Sequence, residues 1–458
     1  MKKKHTILAL FLAGTMILVL PGQIAAWRNT GSYPITLDNS NNDCRYPASY
    51  NIQNIDYVTW QQWDGSNWNI YFSWGYDTNW APAVPYKITN NGIWGNNNND
   101  NTHPDICATW DGFEEQWHSV YIAWQFEDPY TTPALRWEIE TCRIIIDYSG
   151  GGLGVISAIQ YGKASDSTNA TTTDYHSMLP AIDCNRNVFI AWEDYRHNST
   201  AEIYFDFSRD GFTWNYDTFW SETNGIDRIA DANELEANSM DPCIAVEDVG
   251  GFNPTFEQVC VLWEEYDSGI SQIWQHTIFW GPAGNYSSYS QSCCQVNNGM
   301  TQNTELDPDI EDFYDEFLYV WSDDRDGNWE IYEGKTWFNV AANPVSWFTR
   351  RVTNDIDDDE HPAIDLSVNN SGGQPTKEIL ISWDTDRSGN GDIYACRGIQ
   401  NIGAADTLFC SGQGLSDSRV SFTNNLDDFS DITTYNGVGY CVWEQSAAPW
   451  AILYTRDP

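Results

Sequence analysis

A tryptophan recurs seven times along this chain, each time closing a short apolar strand: Trp60, Trp124, Trp192, Trp263, Trp321, Trp383 and Trp443. Leu318-Tyr319-Val320-Trp321 and Ile379-Leu380-Ile381-Ser382-Trp383 show the phrase. Neighbouring anchors lie 58 to 71 residues apart. In five repeats an aromatic residue follows eleven positions later (Tyr71, Trp274, Tyr332, Tyr394, Tyr454), and in a sixth Tyr204 follows at twelve. A period of this length marks a supersecondary unit that cannot bury its apolar faces alone and stacks on copies of itself.

Each repeat reads as four strands. The first opens on proline and alternating apolar residues, as in Pro308-Asp309-Ile310 and His361-Pro362-Ala363-Ile364-Asp365. The second ends on the anchor. The third carries an Ile-Tyr pair, as in Ile331-Tyr332 and Ile393-Tyr394, and the fourth is short, as in Lys87-Ile88-Thr89 or Arg351-Val352-Thr353. The strands are rich in β-branched and aromatic residues and bounded by Gly, Asn, Asp and Pro. No amphipathic helix stands out. The second strand is apolar on both faces, so both are covered. Radial packing of four-stranded antiparallel blades achieves this, and seven units predict an all-β, seven-bladed β-propeller. The last repeat stops after its third strand, at Ile452-Leu453-Tyr454, while Tyr33-Pro34-Ile35-Thr36-Leu37 is an orphan strand near the other end. Pairing the two would close the ring and remove two free sheet edges.

Residues 1–26 read as a secretory signal: Lys2, Lys3 and Lys4, an apolar run from Thr6 to Leu20, then small residues at Ala25 and Ala26. Residues 27–458 then form one propeller domain outside the cell or on its surface. The alternative is an uncleaved anchor. No later stretch is apolar enough to insert in a membrane. With 65 acidic against 22 basic residues the formal charge is −43. Such a chain repels nucleic acid and anionic membranes, and suits divalent cations or cationic partners. Solubility alone is the plainer reading. Eleven cysteines in an exported chain imply disulfides, and the odd count leaves one over. Cys243 with Cys260 and Cys396 with Cys410 are the expected bridges, and Cys107 with Cys142 a further one. Vicinal Cys293-Cys294 is not placed by the sequence.

The stretch Ile203-Tyr204-Phe205-Asp206-Phe207-Ser208-Arg209-Asp210-Gly211-Phe212-Thr213-Trp214 resembles the Asp-box, or bacterial neuraminidase repeat, of sialidase-superfamily propellers. That motif runs Ser-x-Asp-x-Gly-x-Thr-Trp, and one residue is missing here between Asp210 and Trp214. The phrase at 321–332 is similar to repeats of many secreted propellers of this group. The resemblance implies the fold, with the Asp-box as a structural turn. Sialidases carry an arginine triad, a tyrosine–glutamate nucleophile pair, an aspartate acid and a Phe/Tyr-Arg-Ile-Pro motif. Cys44-Arg45-Tyr46-Pro47 matches that last motif in two of four positions, and sialidases have six blades against seven here. The chain is therefore not a sialidase by motif.

Two groups of residues carry candidate chemistry. The turns after the second strands are acidic: Asp384-Thr385-Asp386-Arg387-Ser388-Gly389-Asn390-Gly391-Asp392 and Ser322-Asp323-Asp324-Arg325-Asp326-Gly327-Asn328-Trp329-Glu330. Oxygens of Asp384, Asp386, Ser388 and Asp392, and of Asp324, Asp326 and Glu330, have a spacing that suits Ca²⁺. They equally suit a hairpin whose acids pair the arginines Arg196, Arg325 and Arg387, each four residues after its tryptophan. The second group, His103, Asp241, Asp307 and His361, precedes the prolines of the first strands. The topology brings these four to the mouth of the central channel, where they could hold a metal or the polar edge of a ligand. The alternative is a local turn at an extended residue before proline. The acidic run from Asp355 to Glu360 reads as a solvated loop or a cation site. Most tryptophans occupy repeat positions and are core; Trp94, Trp117, Trp329, Trp347 and Trp450 fall outside the anchors.

His-Glu-x-x-His, Gly-x-Ser-x-Gly and Walker signatures are missing, and Gly150–Gly154 lacks the strand–helix context of a phosphate loop. The expected function is a non-catalytic binding propeller that contacts a glycan, peptide or cell-surface partner through an acidic face, with Ca²⁺ as a candidate cofactor. The alternative is a carbohydrate-active enzyme, a glycoside hydrolase or polysaccharide lyase, built from Glu127, Arg136, Arg228 and Glu265. A cell-surface structural component is a third reading.

Overall fold

The computed structural model describes residues 35 to 456, apart from 39, 41, 92–98, 111–115, 129–135, 166–175, 197–199, 215–226, 230–237, 250–255, 268, 281–290, 297–302, 314–315, 338–347, 355, 370–375, 388, 402–417, 422–424 and 447–448. Seven antiparallel four-stranded sheets make up the chain. The inner strands, from blade 1 to blade 7, are Cys44–Ile52, Asn101–Trp110, Ser177–Cys184, Asn238–Val249, Glu305–Phe313, Asp359–Asn369 and Asp427–Tyr435. Each packs beside the next, and the seventh returns to the first, so the sheets form a closed β-propeller. One 3₁₀ turn, Ile88–Asn91, is the only helical element among the described residues. No helix among them is long and apolar enough to cross a membrane.

Ring closure uses the two ends of the sequence. Ile35 and Thr36 pair with Tyr454 and Leu453, and Leu37 N–H donates to Ile452 O at 3.0 Å. Blade 7 thus takes its outer strand from the start of the chain.

All seven anchor tryptophans are buried in the second strands, each at most 1% exposed. An indole removed from water still needs an acceptor for its N–H. Six anchors find one at one of two places. Trp60, Trp192, Trp263 and Trp321 donate two residues along their own strand, to Gln62, Asp194, Glu265 and Asp323. Trp124 and Trp443 donate instead to the residue opening the inner strand, Asn101 and Asp427. The aromatic partners sit across the ladder, with Trp60 beside Tyr71 and Trp321 beside Tyr332 at centroid distances of 6.3 and 5.9 Å. In blade 7 the register differs from the spacing: Trp443 faces Leu453, and Tyr454 faces Val442.

The expected cysteine pairings need correction. Cys107 bridges Cys184, joining the inner strands of blades 2 and 3. Cys142 cannot reach Cys107, because the second strand of blade 2 lies between them, with Cys107 opposite Tyr121 and Cys142 opposite Ile122. Cys243 and Cys260 do not form a bridge: Cys243 faces Leu262 and Cys260 faces Ala245, out of register with each other. Cys410 lies outside the described residues.

The Asp-box-like turn of blade 3 is held by its own side chains. Asp210 accepts from the Thr213 N–H and hydroxyl at 2.8 Å each, and Ser208 Oγ donates to Thr213 O at 2.7 Å. Trp214 is buried and donates to Thr141 of blade 2 at 2.8 Å.

Candidate functional site

Every inner strand breaks its ladder at the same place. The register shifts between Arg45 and Ala48, Thr102 and Asp105, Met178 and Ala181, Met240 and Cys243, Leu306 and Asp309, Glu360 and Ala363, and Asp428 and Ser430. Six of these bulges contain a proline, which has no N–H to offer the second strand. The residue ahead of it turns into the left-handed region. Tyr46, His103, Leu179, Asp241, Asp307, His361 and Phe429 all have φ between 45° and 52°. The expectation of an extended residue before proline is therefore overturned, since the bulge outweighs the preference for extended backbone. Seven such positions among non-glycine residues cost of order 1–3 kcal/mol each, so the ring persists only because its surroundings hold it.

Part of that hold comes from the neighbouring blade. The residue after each anchor tryptophan reaches across and accepts the N–H of a left-handed residue. Glu444 takes Tyr46 at 3.0 Å, Gln61 takes His103 at 2.9 Å and Gln125 takes Leu179 at 2.9 Å. Glu193 takes Asp241 at 2.9 Å, and Glu264 takes Asp307 at 2.7 Å. The pattern breaks at blades 5 and 6, where the residue after the anchor is short. Ser322 follows Trp321, and Asp384 follows Trp383. Asp384 bonds the His361 ring instead, with Oδ1 2.9 Å from Nδ1. Sequence reasoning missed this position, although a long amide or acid directly after five of the seven anchors was visible.

The seven left-handed residues line a cavity of about 360 Å³ at the mouth of the central channel. His103, Asp241, Asp307 and His361 are thus brought together. The ring divides into two arcs. Phe429, Tyr46 and His103 pack in sequence as tilted rings, with centroids 5.3 and 4.4 Å apart, and Leu179 continues the apolar side. Asp241, Asp307 and His361 form the other side. His361 also packs on Phe429 at 4.6 Å and so joins the two.

The charges of the acidic arc act on one another. Burial pushes the Asp241 carboxyl up to about 6, and the charge of Asp307 adds to that. Burial also raises Asp307, while His361 opposes the rise. Asp384 is pushed up to about 7 by burial and held back by His361. Burial alone would lower His361, yet the hydrogen bond it donates to Asp384 and the charges of Asp384, Asp307 and Asp428 lift it to about 10. The imidazole is therefore cationic at neutral pH. Burial drives His103 the other way, to about 4, so it is neutral. Ligand atoms of His361, Asp384 and Asp428 lie within 4.8 Å of one another, the arrangement at the mouth with the spacing of a metal site.

The acidic hairpins do not join this cavity as sets. Asp326 accepts Tyr332 Oη at 2.6 Å and Arg351 Nη1 at 2.8 Å. Glu330 is held by Arg351 and by the Thr353 hydroxyl at 2.7 Å. Asp392 is held by Arg419, with Ser421 beside it. Asp324 Oδ1 takes Thr304 N–H at 2.8 Å, and the Asp386 carbonyl closes the turn with Gly389 N–H at 2.7 Å. Ser388 lies outside the described residues. Two of the repeated arginines pair with an acid beside their own turn, Arg196 with Asp194 and Arg325 with Asp323, whereas Arg387 pairs with Asp359 at the start of the inner strand. Of the four residues considered for an enzyme, none is among the described residues lining the mouth. Glu265 occupies the repeat position that accepts Trp263 Nε1, at 2.8 Å.

Beneath the mouth, carboxylates stitch successive blades together. Asp105 accepts Ile182 N–H at 2.7 Å, Asp183 accepts Val246 at 2.6 Å and Asp309 accepts Ile364 at 2.8 Å. Asp365 accepts Thr434, and Asp431 accepts Ser49 at 2.5 Å. Five of seven blade junctions are bridged in this way.

No protein-family model matches the sequence, and no curated protein sequence matches it. Among solved structures, a Trypanosoma rangeli sialidase in complex with the inhibitor DANA is similar at 9% identity and TM-score 0.44, over 95% of this chain and 59% of that one. A leech intramolecular trans-sialidase follows at 11% identity and TM-score 0.42, over 94% and 70%. The catalytic domain of a Coprinopsis cinerea GH62 alpha-L-arabinofuranosidase has 10% identity and TM-score 0.31, over 64% and 94%. This chain thus spans less than two thirds of the length of the Trypanosoma enzyme, and likenesses of this size decide neither activity nor ligand.

Proposed function

We propose that this protein is an exported, non-catalytic binding propeller that takes a glycan in the mouth of its channel. The observation that carries the reading is the division of one cavity into an aromatic arc, Phe429–Tyr46–His103, and an acidic arc, Asp241–Asp307–His361. A sugar ring offers both matching surfaces: a C–H face that packs on aromatic rings, and hydroxyls that donate to carboxylates. The acidic, arginine-bonded hairpins on the same side would frame the approach to the mouth. Ca²⁺ on this face is part of the proposal, with Asp384 and Asp428 the carboxylates at the mouth spaced to take it.

A glycan array probed with the full chain, in Ca²⁺ and in EDTA, tests the reading. It expects binding that is weakened by Tyr46→Ala and by Asp307→Asn. Binding unchanged in both variants would refute it.

One observation favours a hydrolase as the second reading. Asp241 and Asp307 share the mouth, and each carboxyl is held above its ordinary range. Two carboxyl groups facing one cavity are what glycoside hydrolysis uses. Turnover of mixed polysaccharides, lost in Asp241→Asn, would select this reading over the first.

A further inference from the structure

The mouth has a charge imbalance that narrows its ligand. Around it stand the carboxyl groups of Asp241, Asp307, Glu360, Asp384 and Asp428, and one imidazole, that of His361. No arginine or lysine is among the described residues lining the cavity. Arg45, the nearest arginine in sequence, is already engaged: its guanidinium lies 3.8 Å from the centroid of the Trp450 ring and pairs Glu444, the acceptor of the Tyr46 N–H. An anionic ligand would enter a mouth rimmed by acidic groups with no arginine or lysine among its described lining residues to meet it, and the chain's formal charge of −43 would repel it beforehand.

The acidic arc alone would suit a metal ion as well as any other cation. The aromatic arc discriminates between them. A hard metal ion uses oxygen ligands and gains nothing from rings. An ammonium group gains from both sides, through charge-assisted hydrogen bonds to carboxylates and through the negative faces of aromatic rings. Asp241 and Asp307 belong to blades 4 and 5, and Phe429 and Tyr46 to blades 7 and 1. In a ring of seven these pairs face each other across the opening, so one small ligand can touch both.

We propose that the mouth selects an ammonium-bearing ligand, with Asp241 and Asp307 taking its N–H donors and Tyr46 and Phe429 its carbon face. An amino sugar combines the two features in one ring. The proposal rests on the binding function above and goes beyond it by fixing the sign of the ligand's charge.

Calorimetric titration of the full chain with four small probes at pH 6.5 and low salt tests it: glucosamine, glucose, N-acetylglucosamine and cyclohexylamine. Glucosamine is expected to bind at least about tenfold more tightly than glucose or N-acetylglucosamine, the size of one charge-assisted contact. In Asp307→Asn that preference should fall to about threefold or less. Asp307 N–H, which holds the backbone to Glu264, is unaffected by this change, and an unaltered melting temperature verifies the fold. Equal binding of the three sugars would overturn the ammonium proposal and leave the glycan reading standing. Cyclohexylamine binding as tightly as glucosamine would support the ammonium proposal and overturn the glycan reading. Binding by none of the four would overturn both.

Discussion

The Asp105 carboxylate, on the inner strand of blade 2, accepts the backbone N–H of Ile182 on blade 3 at 2.7 Å. Asp183, Asp309, Asp365 and Asp431 repeat this bond at other junctions, around a channel that also holds Glu311 and Asp312. Burial pushes Asp105 and Asp309 up to about 7 and Asp365 up to about 8.

These shifts set the sign of a pH effect. A carboxyl whose folded pKa exceeds its unfolded value favours the folded state when protonated, and that contribution is lost as pH rises toward the folded value. His361, raised to about 10, acts in the same direction above its ordinary 6.5. The buried histidines His103, His118 and His276 are lowered to about 4, so they oppose only below pH 6.5. The melting temperature is expected to fall between pH 6.5 and 8 by roughly 3 °C or more. Asp365→Asn should flatten that slope; calorimetric scans at fixed ionic strength measure both.

The anchors carry the blades. Trp321 is fully buried, stacks on Tyr332 and donates to Asp323 at 3.1 Å. Trp321→Ala is expected to cost about 3–5 kcal/mol. Trp321→Phe keeps a ring and removes one hydrogen bond to Asp323, which retains Arg325, at a cost of about 1 kcal/mol. Urea unfolding monitored by far-UV circular dichroism ranks the two.

Much of this architecture is legible in the sequence, because a blade is a local object. The anchors count the blades, and the orphan segment ending at Leu37 foretells the closure. The prolines after His103, Asp241, Asp307 and His361 bring those four to one end of the channel. What was not legible depends on pairs far apart in the chain. The acceptor of Tyr46 N–H is Glu444, and that of Ser49 N–H is Asp431. Nothing near Asp431 announces its role, and Glu444, although a long acid directly after its anchor, does not name its partner. The left-handed backbone at the mouth was hidden for another reason: a residue before proline ordinarily favours extended geometry, and only the paired second strand imposes the bulge. Glu330 and Asp392 looked like cation ligands in a linear pattern, whereas the fold gives each an arginine and a hydroxyl from the adjoining strand.

Gly211 tests the turn of blade 3. Its φ is +75°, and a Cβ there would lie 2.1 Å from the Tyr121 ring. Gly327, at φ +99°, has nothing within 4 Å. Gly211→Ala should therefore cost about 2 kcal/mol or more, through strain and overlap together. Gly327→Ala should cost about 1 kcal/mol, through strain alone. Urea midpoints of the two variants, compared with the parent, check the difference.

The mouth itself is read most directly by its two histidines. His103 packs against Tyr46 in the aromatic arc, and His361 lies in the acidic arc, whereas His118 is buried against Tyr57 and Tyr148. Protein labelled with ¹³C at its imidazole carbons can be titrated with glucosamine and, separately, with glucose. If the mouth is the binding site, the His103 and His361 signals shift together along the binding curve while those of His118 and His276 stay fixed. Saturable binding that leaves His103 and His361 unmoved, or no binding of either sugar, would contradict the assignment of function to this ring.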